Sequence, residues 1–124
     1  MITGLDLLFL EVNNLEDSLS FYSERLGFEI ESHNPDAEPP IASVRAGTLK
    51  INLVQQVETM LKRGRGVHFV LSATDVDDLY KHLIAKGVDE ISGPRDEGWG
   101  GRFISLKDPD GYRLVFVTWE SDSN

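Results

Sequence analysis

Two stretches of the chain repeat one another. Leu7 to Ile30 reads LLFLEVNNLEDSLSFYSERLGFEI, and His68 to Ile91 reads HFVLSATDVDDLYKHLIAKGVDEI. Each opens on a short apolar strand, passes a helix-capping residue, runs through an amphipathic helix and stops at a glycine. Leu7 aligns with His68, Asn14 with Asp75, and Leu15 with Val76. A one-residue gap inside the helix then brings Gly27 onto Gly87. Such internal similarity marks a duplicated module.

The parts have physical reasons. Leu15, Leu19, Tyr22 and Leu26 recur at helical spacing and predict one buried stripe. Asn14 is a good N-cap, and Asp17 in the first turn suits the helix dipole. In the second copy Thr74 or Asp75 caps, and Val76, Leu79 and Leu83 form the stripe. Gly27 and Gly87 stand where a helix ends on a left-handed residue.

Extended runs follow each helix. In the first copy they are Phe28–Ser32, Ile41–Ala46 and Leu49–Gln55; in the second, Val88–Ile91, Arg102–Leu106 and Arg113–Trp119. Asp108-Pro109-Asp110-Gly111 divides the last two and is a strong turn signal. Each copy is therefore expected to be a βαβββ module, in an α+β chain. The expected layout is a first module over 1–56, a linker over 57–66, a second module over 67–120 and a frayed tail over 121–124. Met60-Leu61 in the linker could form a short helical turn, and His33 to Pro40 reads as a mobile loop.

The chain has 124 residues, with 40% hydrophobic and 27% charged side chains. That is ordinary globular composition. There is no cysteine. Thiol nucleophiles, disulfides and cysteine-ligated metal centres are thereby excluded. No basic leader precedes the first strand, and no apolar run reaches the ~18 residues of a membrane span. A cytoplasmic protein is expected. The formal charge of −9 repels nucleic acid and anionic membranes, so neither is an expected partner. It would attract a cationic ligand, or simply keep the protein soluble.

Strand alternation assigns faces. Leu8, Leu10 and Val12 should pack under the helix, leaving Leu7, Phe9 and Glu11 on the opposite side. The same rule places Lys50, Asn52 and Val54, then His68, Val70 and Ser72, and finally Arg113, Val115 and Val117 on that side. This is an apolar floor with polar groups at its edges, suited to a small organic ligand.

With these words in order, the chain resembles the vicinal oxygen chelate superfamily, which includes glyoxalase I, extradiol dioxygenases and bleomycin-resistance proteins. The words are Phe21-Tyr22 with Leu26-Gly27-Phe28, then Asp75-Val76-Asp77, then Asp108-Pro109-Asp110-Gly111. The resemblance runs from Leu5 to Trp119. It implies two tandem βαβββ modules in an incompletely closed eight-stranded mixed barrel, and a homodimer. Metalloenzyme members place one ligand on the first and one on the last strand of each module. Carried over, those positions fall on Leu7, Asn52, His68 and Val115. Leu7 and Val115 cannot donate to a metal, and one imidazole with one amide falls short of the three protein ligands of catalytic zinc.

The resemblance therefore points to the metal-free, bleomycin-resistance-type binding proteins, with no cofactor and no reaction. The ligand would be an antibiotic or another toxic organic molecule, cationic or aromatic. The alternative is a metal-dependent lyase, isomerase or dioxygenase with a non-standard site, using a divalent metal on His68 and Asn52. Trp99, set among glycines, could stack on a ligand or plug the module end, and Arg102 follows it in the candidate set. Glu11 is the candidate general base, or else pairs with Lys50 or Arg113. The plainer expectation makes His68 a satisfied interior histidine, Phe9 a core residue, and Trp119 a packing element at a sheet edge or dimer interface.

Overall fold

The computed structural model describes residues 1–56, 67–97 and 100–119. The expected linker, the Met60-Leu61 turn, Trp99 and the tail lie outside the described residues. The chain divides into two compact units, Met1–Arg63 and Gly64–Asn124.

The first unit contains strand β1 (Leu8–Val12), helix α1 (Leu15–Leu19) continued by a π-helical turn (Ser20–Arg25), and strands β2 (Glu29–Asn34), β3 (Ile41–Ala46) and β4 (Leu49–Gln55). Its sheet has the order β1-β4-β3-β2. The second unit contains β5 (His68–Ser72), α2 (Val76–Ala85), β6 (Ser92–Glu97), β7 (Gly101–Lys107) and β8 (Arg113–Trp119), in the order β5-β8-β7-β6. Both sheets are mixed: β1 pairs parallel with β4, and β5 with β8, while the other pairs are antiparallel. Each unit is a βαβββ module.

The registers make the modules comparable residue by residue. Leu8 lies opposite Ile51, and Phe69 opposite Leu114. With Leu8 matched to Phe69, Asn52 therefore corresponds to Val115 and Gln55 to Thr118. That last equivalence carries a shared device. The Gln55 Oε1 accepts the Leu15 backbone N–H at 2.8 Å, and the Thr118 Oγ1 accepts the Val76 N–H at 2.9 Å. In both modules the last strand supplies the acceptor for the first free amide of the helix, a group the helix cannot satisfy itself. Asn14 Oδ1 takes the Asp17 N–H at 2.9 Å, and Asp75 Oδ1 takes those of Asp77 and Asp78 at 2.9 and 3.3 Å. Asp75, not Thr74, is the second cap.

The gap between the two repeats has a structural counterpart. The first helix carries one extra residue, and it widens into the π-helical turn, with Leu26 N–H donating to the Phe21 carbonyl at 3.0 Å. One inserted residue within a helix produces such a bulge. It lets Phe21 and Tyr22 both turn inward, each buried, where Tyr22 meets Phe21 and Phe28 edge-on at 5.2 and 5.5 Å. Gly27 and Gly87 then end the helices at φ of +84° and +86°.

Two expectations are corrected. Val88–Ile91 is not a strand; the second strand of that module is Ser92–Glu97. Its register shifts between Ser92 and Arg95, at Gly93-Pro94, and it lies at the edge of its sheet. An edge position tolerates a proline that cannot donate to the ladder. The loop expected from His33 begins later, because β2 extends to Asn34.

Thr118→Val should lower stability by about 1–2 kcal/mol, the range for losing a helix-cap acceptor. Urea denaturation would show it as a lower midpoint with an unchanged slope.

Candidate functional site

In the first module the helix covers one face of the sheet. Leu10, Val12, Ala42, Val44, Ile51 and Leu53 are buried there, at 5% exposure or less. The alternate residues form the other face. Phe9 is 58% exposed on it. Across the sheet, Phe9 lies opposite Asn52, and Asn52 opposite Ser43. The Ser43 hydroxyl donates to Asn52 Oδ1 at 2.7 Å. That bond orients the amide and turns its NH₂ group away from Ser43. Leu7 is half-buried just before β1, and Glu11 is exposed. Val54, on the same face, is buried.

One row further, Arg45 and Lys50 are cross-strand partners. Glu31 binds both, at 2.6 Å to Arg45 Nε and 3.7 Å to Lys50 Nζ. The Arg45 guanidinium holds the Glu31 carboxyl below its ordinary range, and Glu31 in turn raises Arg45. Glu31 sits at the register shift between Ile30 and Ser32, a β-bulge with an extra residue.

In the second module His68, Val70 and Ser72 line the corresponding face of β5, and all are exposed, Val70 at 57%. Arg113 and Val115 on β8 are half-buried. Val70, Val115 and Ser105 form one row. Phe103 lies on the same face with the Arg95 guanidinium 5.3 Å from its ring centre, a cation–π contact. Trp119 ends β8, an inner strand and not a sheet edge, and is 51% exposed. It lies opposite Gly101, where an added Cβ would come within 2.9 Å of Val117 and 3.3 Å of the Trp119 ring.

Arg102 differs from expectation. Its neighbours in register, Asp96 and Thr118, belong to the helix-covered side, and it grips Asp77 in the first turn of α2. The grip is bidentate, Nε and Nη2 each 2.9 Å from a carboxylate oxygen, with Asp96 at 3.4 Å. Arg102 therefore ties helix to sheet and does not join the open face. It lowers Asp77 and is itself raised by that carboxylate.

Sequence reading had no signal for three of these features. Ser43 is an ordinary strand serine until the register sets it beside Asn52. Glu31 carries no mark in the sequence of its place in a bulge, and Phe103 none of its contact with Arg95.

The four positions that the superfamily resemblance marks as metal ligands carry a poor donor set. Leu7 and Val115 offer no lone pair, and Asn52 has its carbonyl oxygen engaged by Ser43. Among the described residues no three His, Cys, Asp or Glu side chains gather as a metal site.

Comparison with known proteins agrees with this architecture. The family described as the Glyoxalase/Bleomycin resistance protein/Dioxygenase superfamily matches residues 4–116. TnmS3, an antibiotic binding protein from Streptomyces sp. CB03234, is 25% identical, with a TM-score of 0.79 over 96% of this chain and 98% of that one. Virulence protein STM3117 of Salmonella typhimurium is 28% identical over 90% of this chain and 81% of its own length. A bleomycin resistance determinant encoded on the transposon Tn5 shares the fold, with a TM-score of 0.76 at 24% identity over 96% of this chain and 100% of that one. The chain belongs to the glyoxalase/bleomycin resistance protein/dioxygenase superfamily.

Because Arg102 lowers the Asp77 carboxyl in the folded state, the pair stabilises the fold above the ordinary carboxylate range. That contribution disappears as pH falls through the depressed folded value. Asp77→Asn should flatten the loss of stability below about pH 4, the unfolded value. Urea midpoints measured across that range would show it.

Proposed function

We propose that this member of the superfamily is a small-molecule binding protein, taking up an antibiotic or another aromatic organic molecule without metal chemistry. The observation that carries the reading is the exchange of metal donors for aliphatic side chains at Leu7 and Val115, beside large apolar groups left in the open. Phe9 and Val70 are each more than half exposed. Phe9 lies opposite Asn52 and Val70 opposite Val115, so each borders one of the four positions. The similarity to an antibiotic binding protein supports the same conclusion.

In this reading the open face of each module carries contact groups, Phe9 and the Asn52 amide donor in the first and Val70 in the second. Lys50 borders the first of these faces and Arg113 the second. The protein works as a homodimer, as its superfamily resemblance implies, and in the cytoplasm.

A panel of aromatic antibiotics, titrated against tryptophan fluorescence, tests this. Saturable quenching is expected, with every bound compound recovered chemically unchanged. Phe9→Ala should weaken the best ligand about tenfold, the equivalent of losing one aromatic contact of about 1.4 kcal/mol. Conversion of a compound during incubation would overturn the reading in favour of an enzyme.

A further inference from the structure

The two modules treat one pair of basic residues differently. Arg45 and Lys50 in the first module are cross-strand partners, and so are Lys107 and Arg113 in the second. The registers make the pairs equivalent, since Ser43 matches Ser105 and Asn52 matches Val115. In the first module the Glu31 carboxylate bridges the pair and offsets one of its two charges. Glu31 is the residue that the bulge adds: Glu29-Ile30-Glu31-Ser32 corresponds to Glu90-Ile91-Ser92, with Ser32 opposite Ser43 and Ser92 opposite Ser105. The second module lacks the inserted acid.

It also adds a third nitrogen base. His68 lies opposite Arg113, at the position where the first module has Leu7. His68, Arg113 and Lys107 thus form one row across three neighbouring strands, which are spaced about 4.8 Å apart. Among the described residues no carboxylate, Glu90 included, forms an ion pair with any of them. Like charges placed directly opposite in a sheet are destabilising. Here they persist on an open face of a chain whose net charge is −9.

We propose that this row binds an oxyanion group, a carboxylate or phosphate carried by the organic ligand, an inference that rests on the binding function proposed above. The half-buried Arg113 guanidinium offers a planar fork that matches two such oxygens, with Lys107 and the His68 ring as flanking donors. The overall negative charge does not prevent this. Exposed charges beyond about 8–10 Å are screened at physiological salt, so the local row dominates. The ligand is therefore an aromatic acid or phosphate ester, rather than the purely cationic molecule suggested by net charge alone.

Calorimetric titration with 2-naphthoate, 2-naphthyl phosphate and uncharged 2-naphthamide tests the site in the full-length protein at physiological salt. The two anions should bind at least about tenfold more tightly than the amide, as a charge-assisted pair implies. The stronger of the two identifies carboxylate or phosphate as the preferred group. Arg113→Gln with Lys107→Gln should abolish the preference, weakening the two anions to the level of naphthamide. Lys86→Gln, on the α2 helix end, removes a charge elsewhere and should leave the preference in place.

The double variant should melt no lower than the parent protein, because it relieves a like-charge pair. A clearly lower melting temperature would show that the two cations serve the fold, and would overturn the assignment. Equal binding of all three probes, or a preference that survives the double substitution, would overturn the oxyanion site and leave the binding function standing. Binding of none of them would overturn the site and count against the binding function for aromatic ligands of this size.

Discussion

The parallel pairing of the first strand of each module with its last is the constraint from which the rest follows. Two parallel neighbours cannot be joined by a tight turn. The chain must cross over, and here it does so through a helix and two further strands. The helix then covers one face of its sheet. Gln55 and Thr118, at equivalent points of the last strands, fix where each helix begins by accepting its first amide hydrogen. With one face covered, the period of two along every strand leaves the alternate side chains on the other. Phe9, Asn52, Val70 and Val115 owe their positions to that count.

Much of this could be read from the sequence because it depends on local chemistry. Asn14 and Asp75 cap where short polar side chains should, Gly27 and Gly87 stop the helices, and β3, β4 and β8 fall where their apolar runs lie. What escaped the sequence depends on single inserted residues or on register. Ser-Gly-Pro at the start of β6 looks like a turn, and only a bulged edge pairing makes it a strand. The extra helical residue appeared as a gap between repeats, and its meaning as a π-helical turn needed the backbone. Arg102 was assigned by nearness to Trp99, whereas its face is set by its pairing with Thr118.

The candidate site was read less completely than the fold for a related reason. Alternation tells which face a residue occupies, not what it meets there. The Ser43 bond to Asn52 joins residues nine positions apart, and the Glu31 network depends on a bulge. Duplication makes these details informative. Each module serves as the reference for the other, so a leucine against a histidine, or an inserted acid against none, stands out as a departure. Net charge, by contrast, averaged over features that differ between the modules.

The proposed binding function requires that the superfamily's metal positions no longer hold an ion. Metal content of the purified, tag-free protein, with thermal melts in the presence and absence of nickel, zinc, iron and manganese, tests it most directly. A metal that binds the native state tightly must raise the melting temperature by mass action. No stoichiometric metal and no shift are expected. A bound metal at one per chain, with a clear shift that disappears in His68→Ala, would contradict it.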